Sequence, residues 1–331
     1  MRIIIIARMN ENHYHNVMRQ RLSRSIVVVS LLALSACGSD AESGETERPS
    51  VVVSTPILGA LVTEIVGDSA DVTVLMPNGV DPHGWEASPK EIEALSSADV
   101  VVINGLHLEE SLEEAIDAAR GDGVRVFEAA DHVDVIVAVD EDEHSEEKSG
   151  DVHSEDESDH GHADGDPHIW TDAAAMADVA LALGDEFAEA GIDVGDRASV
   201  VYERLLTLDN DLRTLVDEVD ASERKLVTGH ESLAYLAARY EFELVGAVIP
   251  GLSSESEVSA GELAELKDLI EAESVGVIFS EAGTPDQVVQ AIADETGVDV
   301  VELDTHLLPE DGTYDTFMTE LVSAIVSALS S

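Results

Sequence analysis

Short apolar runs alternate with amphipathic segments in the first half of the chain. Runs rich in Val and Ile lie at 51–55, 71–76, 99–105, 124–128 and 133–139, and segments with helical spacing lie at 57–66, 88–98 and 109–120. Alternation of this kind is typical of an α/β architecture with a mainly parallel sheet. We therefore predict an N-terminal α/β lobe over residues 51–190.

The same alternation returns in the second half, after two long helical segments at 173–190 and 196–219. Strands are predicted at 225–229, 243–249, 274–280 and 299–304, and helices at 231–240, 257–273, 285–296 and 314–329. The pattern predicts two α/β lobes with mainly parallel sheets, joined by one long rigid helix within 191–221, with the C-terminal lobe at 222–331. Ligands of open α/β sheets bind beyond the carboxyl ends of strands, so we expect a site between the lobes.

Residues 140–166 interrupt the pattern. They hold thirteen carboxylates and almost no apolar side chain, which predicts a disordered acidic loop. Their four histidines are His144, His153, His160 and His162. Two interpretations remain open: the loop is a solvated insertion, or it is an accessory metal collector, because carboxylates and imidazoles both bind divalent ions.

The N-terminal region predicts export. Arginines at 19, 21 and 24 precede an apolar run at 25–37 that is too short to span a bilayer and ends in small residues. We predict a signal peptide at 1–36 and a flexible tether at 37–50. The sequence LSAC at 34–37 resembles a bacterial lipobox, which implies a lipid on Cys37 and a protein anchored to the outer face of the cell membrane.

The chain is strongly acidic, with 70 Asp and Glu against 17 Lys and Arg and a formal net charge of −53 at pH 7. A surface of this sign repels nucleic acid, which excludes it as a partner, and attracts cations without selecting among them. The scarcity of lysine beside so many carboxylates indicates a chain that folds in high salt, where ions screen self-repulsion.

Two histidines share one local setting, DPH at 81–83 and DPH at 166–168. Proline restricts the backbone at each corner, and the aspartate is suited to bond amides ahead of it or to accept the ring N–H. His230 follows a predicted strand, and Asp304 ends another. Three imidazoles and one carboxylate suit Zn²⁺ or another borderline divalent ion.

Other polar and aromatic residues are predicted around this site. We expect His107 and Glu281 at the cleft wall or behind the ligands, and Trp85 and Trp170 packed beside the ligand histidines. The alternative for each histidine is an ordinary hydrogen-bonded turn residue. The sequence also leaves open whether Asp304 or a water completes the ligand set.

Several segments occur in an order that resembles a known family. MPNGVDPHGWEASPKEIEAL, ADVVVINGLHLEE, DPHIWTD, TGHESLAYLAARY, GLSSESEVSAGELAELKDLI, VIFSE and ELD together resemble the metal-binding receptor lipoproteins of ABC-type zinc and manganese importers. The resemblance covers roughly 51–331. It implies metal between two lobes, held by His83, His168, His230 and Asp304, and an ABC permease as partner.

The resemblance also bears on the choice of metal and on catalysis. Manganese relatives tend to carry a carboxylate at the third ligand position, so His230 implies Zn²⁺; Mn²⁺ or Fe²⁺ is the alternative. A zinc hydrolase is a further alternative, but the sequence contains no HExxH and no Gly-x-Ser-x-Gly motif. Glu231, next to His230, is the one candidate for a catalytic base. We expect a monomeric binding protein rather than an enzyme.

Overall fold

The computed structural model describes residues 48–137 and 165–331. The predicted signal peptide, Cys37 and most of the tether lie outside these residues. So does most of the acidic loop with its four histidines. Within the described part, two parallel four-stranded sheets with surrounding helices confirm the α/β class. No helix of this part combines the length and the apolarity that a membrane crossing needs.

The first sheet has the strand order β2-β1-β3-β4, with every pairing parallel. Its strands are β1 (Ser50–Val53), β2 (Asp71–Val74), β3 (Val100–Ile103) and β4 (Arg125–Glu128). The helices between them are α1 (Pro56–Val66), α2 (Pro89–Ser96) and α3 (Glu113–Gly121). Proline at the first position of α1 and α2 suits a helix start, because the missing N–H has no partner there in any case.

The fifth strand predicted for this lobe, at 133–139, is wrong over 133–137, the part that the structure describes. In the described part of that segment Val137 makes one isolated antiparallel bridge to Gly165. The backbone bonds of Ile136 go elsewhere: its N–H donates to the Tyr235 hydroxyl and its carbonyl accepts from the N–H of Asp166. A segment whose donors and acceptors are already used cannot extend the sheet edge.

The second sheet repeats the first topology, with the order β6-β5-β7-β8 and all pairings parallel. Helices α4 (Ala173–Glu189) and α5 (Arg197–Val216) precede it. Its strands are β5 (Lys225–Thr228), β6 (Glu243–Ala247), β7 (Val277–Glu281) and β8 (Asp299–Leu303). The remaining helices are α6 (Ala234–Tyr240), α7 (Ala260–Glu273), α8 (Asp286–Thr296) and α9 (Tyr314–Leu329).

Helix α5 connects the two sheets and is buried along one side. Its 20 residues span roughly 30 Å at 1.5 Å per residue, shorter than the 24 residues predicted. Apolar residues of α5 such as Leu205 and Leu212 belong to one cluster that reaches from Val51 in the first sheet to Phe279 in the second. The two halves therefore share a continuous core, which disfavours a wide hinge motion between them.

A partly buried ion pair joins α5 to α6. Asp209 accepts from Nε and Nη2 of Arg239 at 2.7 Å each, and Arg213 approaches the same carboxylate at 3.4 Å. Arg239 also lies 3.5 Å from Asp172, the residue that caps α4 by accepting from two amides of its first turn. Three helices thus meet at one charged cluster.

Candidate metal centre

Three histidines from distant parts of the chain meet at one point. His83 follows β2, His168 precedes a short 3₁₀ turn at Ile169–Thr171, and His230 comes just after β5. The Nε2 of His168 lies 3.2 Å from that of His83 and 3.1 Å from that of His230. His168 and His230 are fully buried, whereas His83 is half-buried and marks the side facing solvent.

The spacing of these nitrogens fits one shared ion. Two ligands of a tetrahedral zinc with Zn–N bonds of 2.0–2.1 Å are roughly 3.3 Å apart. Among the described residues, these three histidines form the group of ligand-type side chains whose donor atoms lie within 4.8 Å of one another. The arrangement therefore has the dimensions of a three-imidazole metal site.

Both Asp-Pro-His corners contain the same bond from the histidine N–H to the aspartate carboxylate. The Asp81 carboxylate accepts the N–H of His83 at 3.1 Å, and the Asp166 carboxylate accepts the N–H of His168 at 2.9 Å. Such Asx-type bonds fix the corner before metal binds. The backbone of His83 and of His168 is therefore already fixed, so either residue would lose little backbone freedom on binding an ion.

The two aspartates differ in their second contacts. Asp166 Oδ1 also lies 2.7 Å from Nδ1 of His168, so that ring donates there and keeps a lone pair on Nε2. Asp81 instead accepts the hydroxyl of Ser254, which lies in the second half of the chain. One aspartate orients a ligand, and the other joins the two sides of the cleft.

Glu281 is a buried carboxylate behind His230. It accepts from Ser232 Oγ at 2.7 and 2.8 Å, from Thr305 Oγ1 at 3.0 Å and from the N–H of His230 at 3.3 Å. Its Oε1 also lies 3.2 Å from Nδ1 of His230. Glu281 thus lies at the end of β7, behind His230.

The charges of the cluster set its protonation. Burial, and then the neighbouring His168 and His230, lower the pKa of His83 to about 3. Burial also lowers the pKa of His230, but the Glu281 carboxylate outweighs it and raises that pKa above its usual range. Burial raises the pKa of Glu281, yet bonds and charge from His230 and a bond from Ser232 bring it to about 2. Glu281 is therefore ionised at neutral pH.

The structure does not bring Asp304 to the three histidines. Its side chain is exposed, while Leu303 before it and Thr305 and His306 after it are buried. The chain leaves β8 in a turn in which the N–H of Thr305 bonds the carbonyl of Leu303. The turn places residue 304 towards solvent, so the predicted fourth ligand position is not occupied by this carboxylate.

Two other predicted residues lie away from the cluster. His107 is exposed, has a positive φ of 61° and pairs with Glu113 at the start of α3. Trp85 is half-buried and packs against the separate apolar cluster that contains Leu95 and Leu112. The Trp170 ring lies beside His168, with the two ring centroids 5.3 Å apart.

Sequence reasoning missed His306. This residue is 6% exposed, its ring lies 5.5 Å from that of Trp170, and its Nδ1 is 3.0 Å from Thr305 Oγ1. Burial lowers the pKa of His306 to about 4. The available signal was its position shortly after a strand end, which it shares with His230.

Comparison with known proteins agrees with this geometry. Residues 51–328 match the family described as ZnuA, zinc-uptake complex component A, periplasmic. The manganese-binding lipoprotein MntA of Halalkalibacterium halodurans is 27% identical over 92% of this chain and 97% of its own length. The high-affinity zinc uptake system protein ZnuA of Bacillus subtilis is 31% identical over 85% of this chain and 86% of its own.

Solved structures show the same fold. The periplasmic zinc-binding protein TroA of Treponema pallidum superposes with a TM-score of 0.69 at 26% identity, covering 85% of this chain and 99% of TroA. A crystal structure of ZnuA superposes equally well, at 24% identity. Because the family match spans most of the residues, and the paired sheets recur in these structures, the chain belongs to the periplasmic zinc-uptake component A (ZnuA) family.

Proposed function

We propose that this protein captures Zn²⁺ outside the cytoplasm and delivers it to an ABC-type permease. The observation that carries the proposal is the set of three imidazole nitrogens 3.1 and 3.2 Å apart. Two of the three ligands are buried between the halves of the chain, where an ion is shielded from water. The family match supports the receptor role, since relatives are named as zinc- and manganese-binding proteins.

The ligand set favours zinc over manganese or iron. Three imidazoles form the group, and no carboxylate of the described residues joins it. Imidazole suits zinc, whereas carboxylate and water ligands suit Mn²⁺. Manganese is the alternative cargo, because some relatives are named for it. Metal content of protein purified from its own host decides between them, because affinities measured in vitro follow the Irving–Williams order whatever the natural cargo.

The surroundings of the site suit binding rather than catalysis. A hydrolytic zinc site needs an open water position and a base beside it. One buried carboxylate beside the site, Glu281, lies behind His230 and accepts from Ser232 and Thr305. It therefore supports a ligand and is not placed as a base next to bound water.

The anchoring and the assembly state are also part of the proposal. The order of basic residues, apolar run, small residues and Cys37 supports export followed by lipidation at that cysteine. Replacing Cys37 by Ala should release the protein from the membrane fraction, whereas continued retention of the variant would contradict lipid anchoring. We further propose that the receptor is a monomer, which light scattering of the chain without its signal peptide tests directly.

Zinc binding by histidine variants tests the main proposal. In competition with a chromophoric chelator, the chain without its signal peptide should bind one zinc ion per molecule with high affinity. His83→Ala and His230→Ala should each bind zinc too weakly to take it from the chelator. His107→Ala is the matched control, because this histidine is exposed and paired with Glu113. If the two cluster variants hold zinc as tightly as the control does, the proposed site is wrong.

A further inference from the structure

The Asp-Pro-His corner that ends in His168 is held by side chains from both halves of the chain. Asn104 follows β3 and donates from Nδ2 to the carbonyl of Pro167 at 2.8 Å. Tyr235 on α6 donates its hydroxyl proton to the carbonyl of Asp166 at 2.9 Å. Both side chains are buried, so water does not compete for these bonds. The two peptide groups before His168 are therefore fixed from opposite sides.

His168 is the central member of the three-histidine group. Its Nε2 lies 3.2 Å from Nε2 of His83 and 3.1 Å from Nε2 of His230. A displacement of the His168 backbone changes both distances at once. The fit of an ion to the group therefore depends on the corner at 166–168.

The buried carboxylate of Glu109 fixes Asn104 in turn. Glu109 accepts the N–H of Asn104 at 2.7 Å, the N–H of Gly105 at 3.2 Å and the hydroxyl of Ser54 at 2.6 Å. The Asn104 amide donates its second hydrogen to the carbonyl of Gly105 at 3.1 Å. Both partners of this amide are carbonyl oxygens, so its nitrogen and not its oxygen faces Pro167.

The loop that holds Asn104 and Glu109 has two unfavourable features. Burial raises the pKa of Glu109, although the bonds from Ser54 and from the backbone oppose the shift. Leu106 and His107 have φ angles of 54° and 61°, a region that residues with a side chain rarely adopt. Backbone strain of this kind persists where the surrounding structure imposes it, and it collects at functional sites. A loop that only connected β3 to α3 would need neither feature.

We infer that Asn104, fixed by Glu109, and Tyr235 are positioning residues that hold His168 in its metal-binding position before an ion arrives. The inference rests on the proposed function, since it concerns capture by the same three histidines. None of these side chains belongs to the group of donor atoms that could share an ion, and each acts through the backbone at 166–168. Because the central histidine is already fixed, binding an ion does not have to order it.

Zinc binding by two variants of the chain without its signal peptide tests the inference. Tyr235→Phe and Asn104→Ala each remove one bond to the corner and keep all three histidines. We expect each to weaken zinc binding at least about tenfold in competition with a chromophoric chelator, since residues that only support a ligand change metal affinity by this factor. Tyr240→Phe is the matched control, because Tyr240 is a buried residue of the same helix and its hydroxyl makes no bond to the corner.

NMR of the metal-free proteins with ¹⁵N-labelled histidine gives a readout that a general loss of stability does not move. The His168 ring, assigned by the absence of its signals from His168→Gln, should give one narrow set of signals in the unchanged protein and in Tyr240→Phe. These signals should broaden or split in Tyr235→Phe and in Asn104→Ala. Thermal midpoints check that each variant is folded.

Two results would overturn the inference: equal effects in Tyr240→Phe and Tyr235→Phe, or unchanged zinc affinity and unchanged His168 signals in both corner variants. If the unchanged protein binds zinc with high affinity and the corner variants do so equally well, only this inference fails. If the unchanged protein binds no zinc, the proposed function fails, and the His168 signals of the metal-free proteins still decide whether the corner is held as inferred.

Discussion

Replacing Glu281 by glutamine tests how the residues behind the ligands control metal binding. The carboxylate accepts bonds from Ser232, Thr305 and the His230 backbone, and its charge lies 3.2 Å from the His230 ring. Glutamine keeps the size of the side chain, removes the charge and turns one acceptor oxygen into a donor. The change therefore acts on the orientation and the basicity of His230 while leaving the three ligands in place.

The expected effect depends on pH. Loss of a residue that supports a metal ligand lowers affinity about 10–100-fold, or about 1.4–2.7 kcal/mol. In the unchanged protein the carboxylate raises the pKa of His230, so protons compete with zinc already near neutral pH. Without that charge the pKa of His230 falls, and proton competition begins at a lower pH. The loss of zinc affinity in Glu281→Gln, relative to the unchanged protein, should thus be largest in alkaline solution and become smaller as the pH falls.

Zinc competition titrations of both proteins from about pH 5.5 to about pH 8 measure this difference, a range that spans the ordinary pKa of histidine. The unchanged protein should lose affinity more steeply as the pH falls. Two parallel curves would show that Glu281 does not set the protonation of His230. Equal affinity at the alkaline end would show that it does not support the ligand at all.

Four further predictions follow from the structure. Gly283→Ala should weaken zinc binding and lower the thermal midpoint, because Gly283 has a φ of 88° and an added Cβ would meet the Asp81 carboxylate. Gly276→Ala is the control, because the space around Gly276 is open. Equal effects of the two substitutions would contradict the argument. Asp209→Asn should lower the free energy of unfolding in urea by about 1–2 kcal/mol, a value between those for exposed and for buried ion pairs, because the Arg239 side chain is 30% exposed. The exposed Asp211→Asn should leave the free energy of unfolding unchanged. The pKa of His83 is about 3 in the folded state and near 6.5 in the unfolded state, so the unfolded chain binds more protons between these pH values. The stability of the metal-free protein should therefore fall as the pH drops from 6.5 to 3. The stability of His83→Gln should fall less over the same range. With a net charge of −53, the unfolding midpoint should rise with NaCl concentration, and equal midpoints at low and high salt would refute the role of screening.

Much of this structure could be predicted from the sequence because its signals are local. Alternating apolar runs gave the order and type of the strands and helices, and the repeated Asp-Pro-His corners pointed to His83 and His168. The failures concern tertiary contacts. The run at 133–139 has strand composition, but Tyr235 and Asp166 take the bonds of Ile136.

The burial of the side chains that follow β8 was the hardest feature near the site to predict. Asp304 and His306 are two residues apart, and only the direction in which the chain leaves β8 decides which side chain is buried. The bond between Asp81 and Ser254 joins residues 173 positions apart, and no local pattern marks it. Contacts of this range depend on how the two sheets pack, which a single sequence does not reveal.

The apolar cluster that runs from Val51 to Phe279 has a consequence for how the chain folds. Residues from both sheets pack into the same core, so cutting the chain after α5 would expose an apolar surface on each fragment. Neither fragment should be soluble alone, and the intact protein should melt in a single cooperative step. The three histidines thus meet where the two halves of one folding unit join.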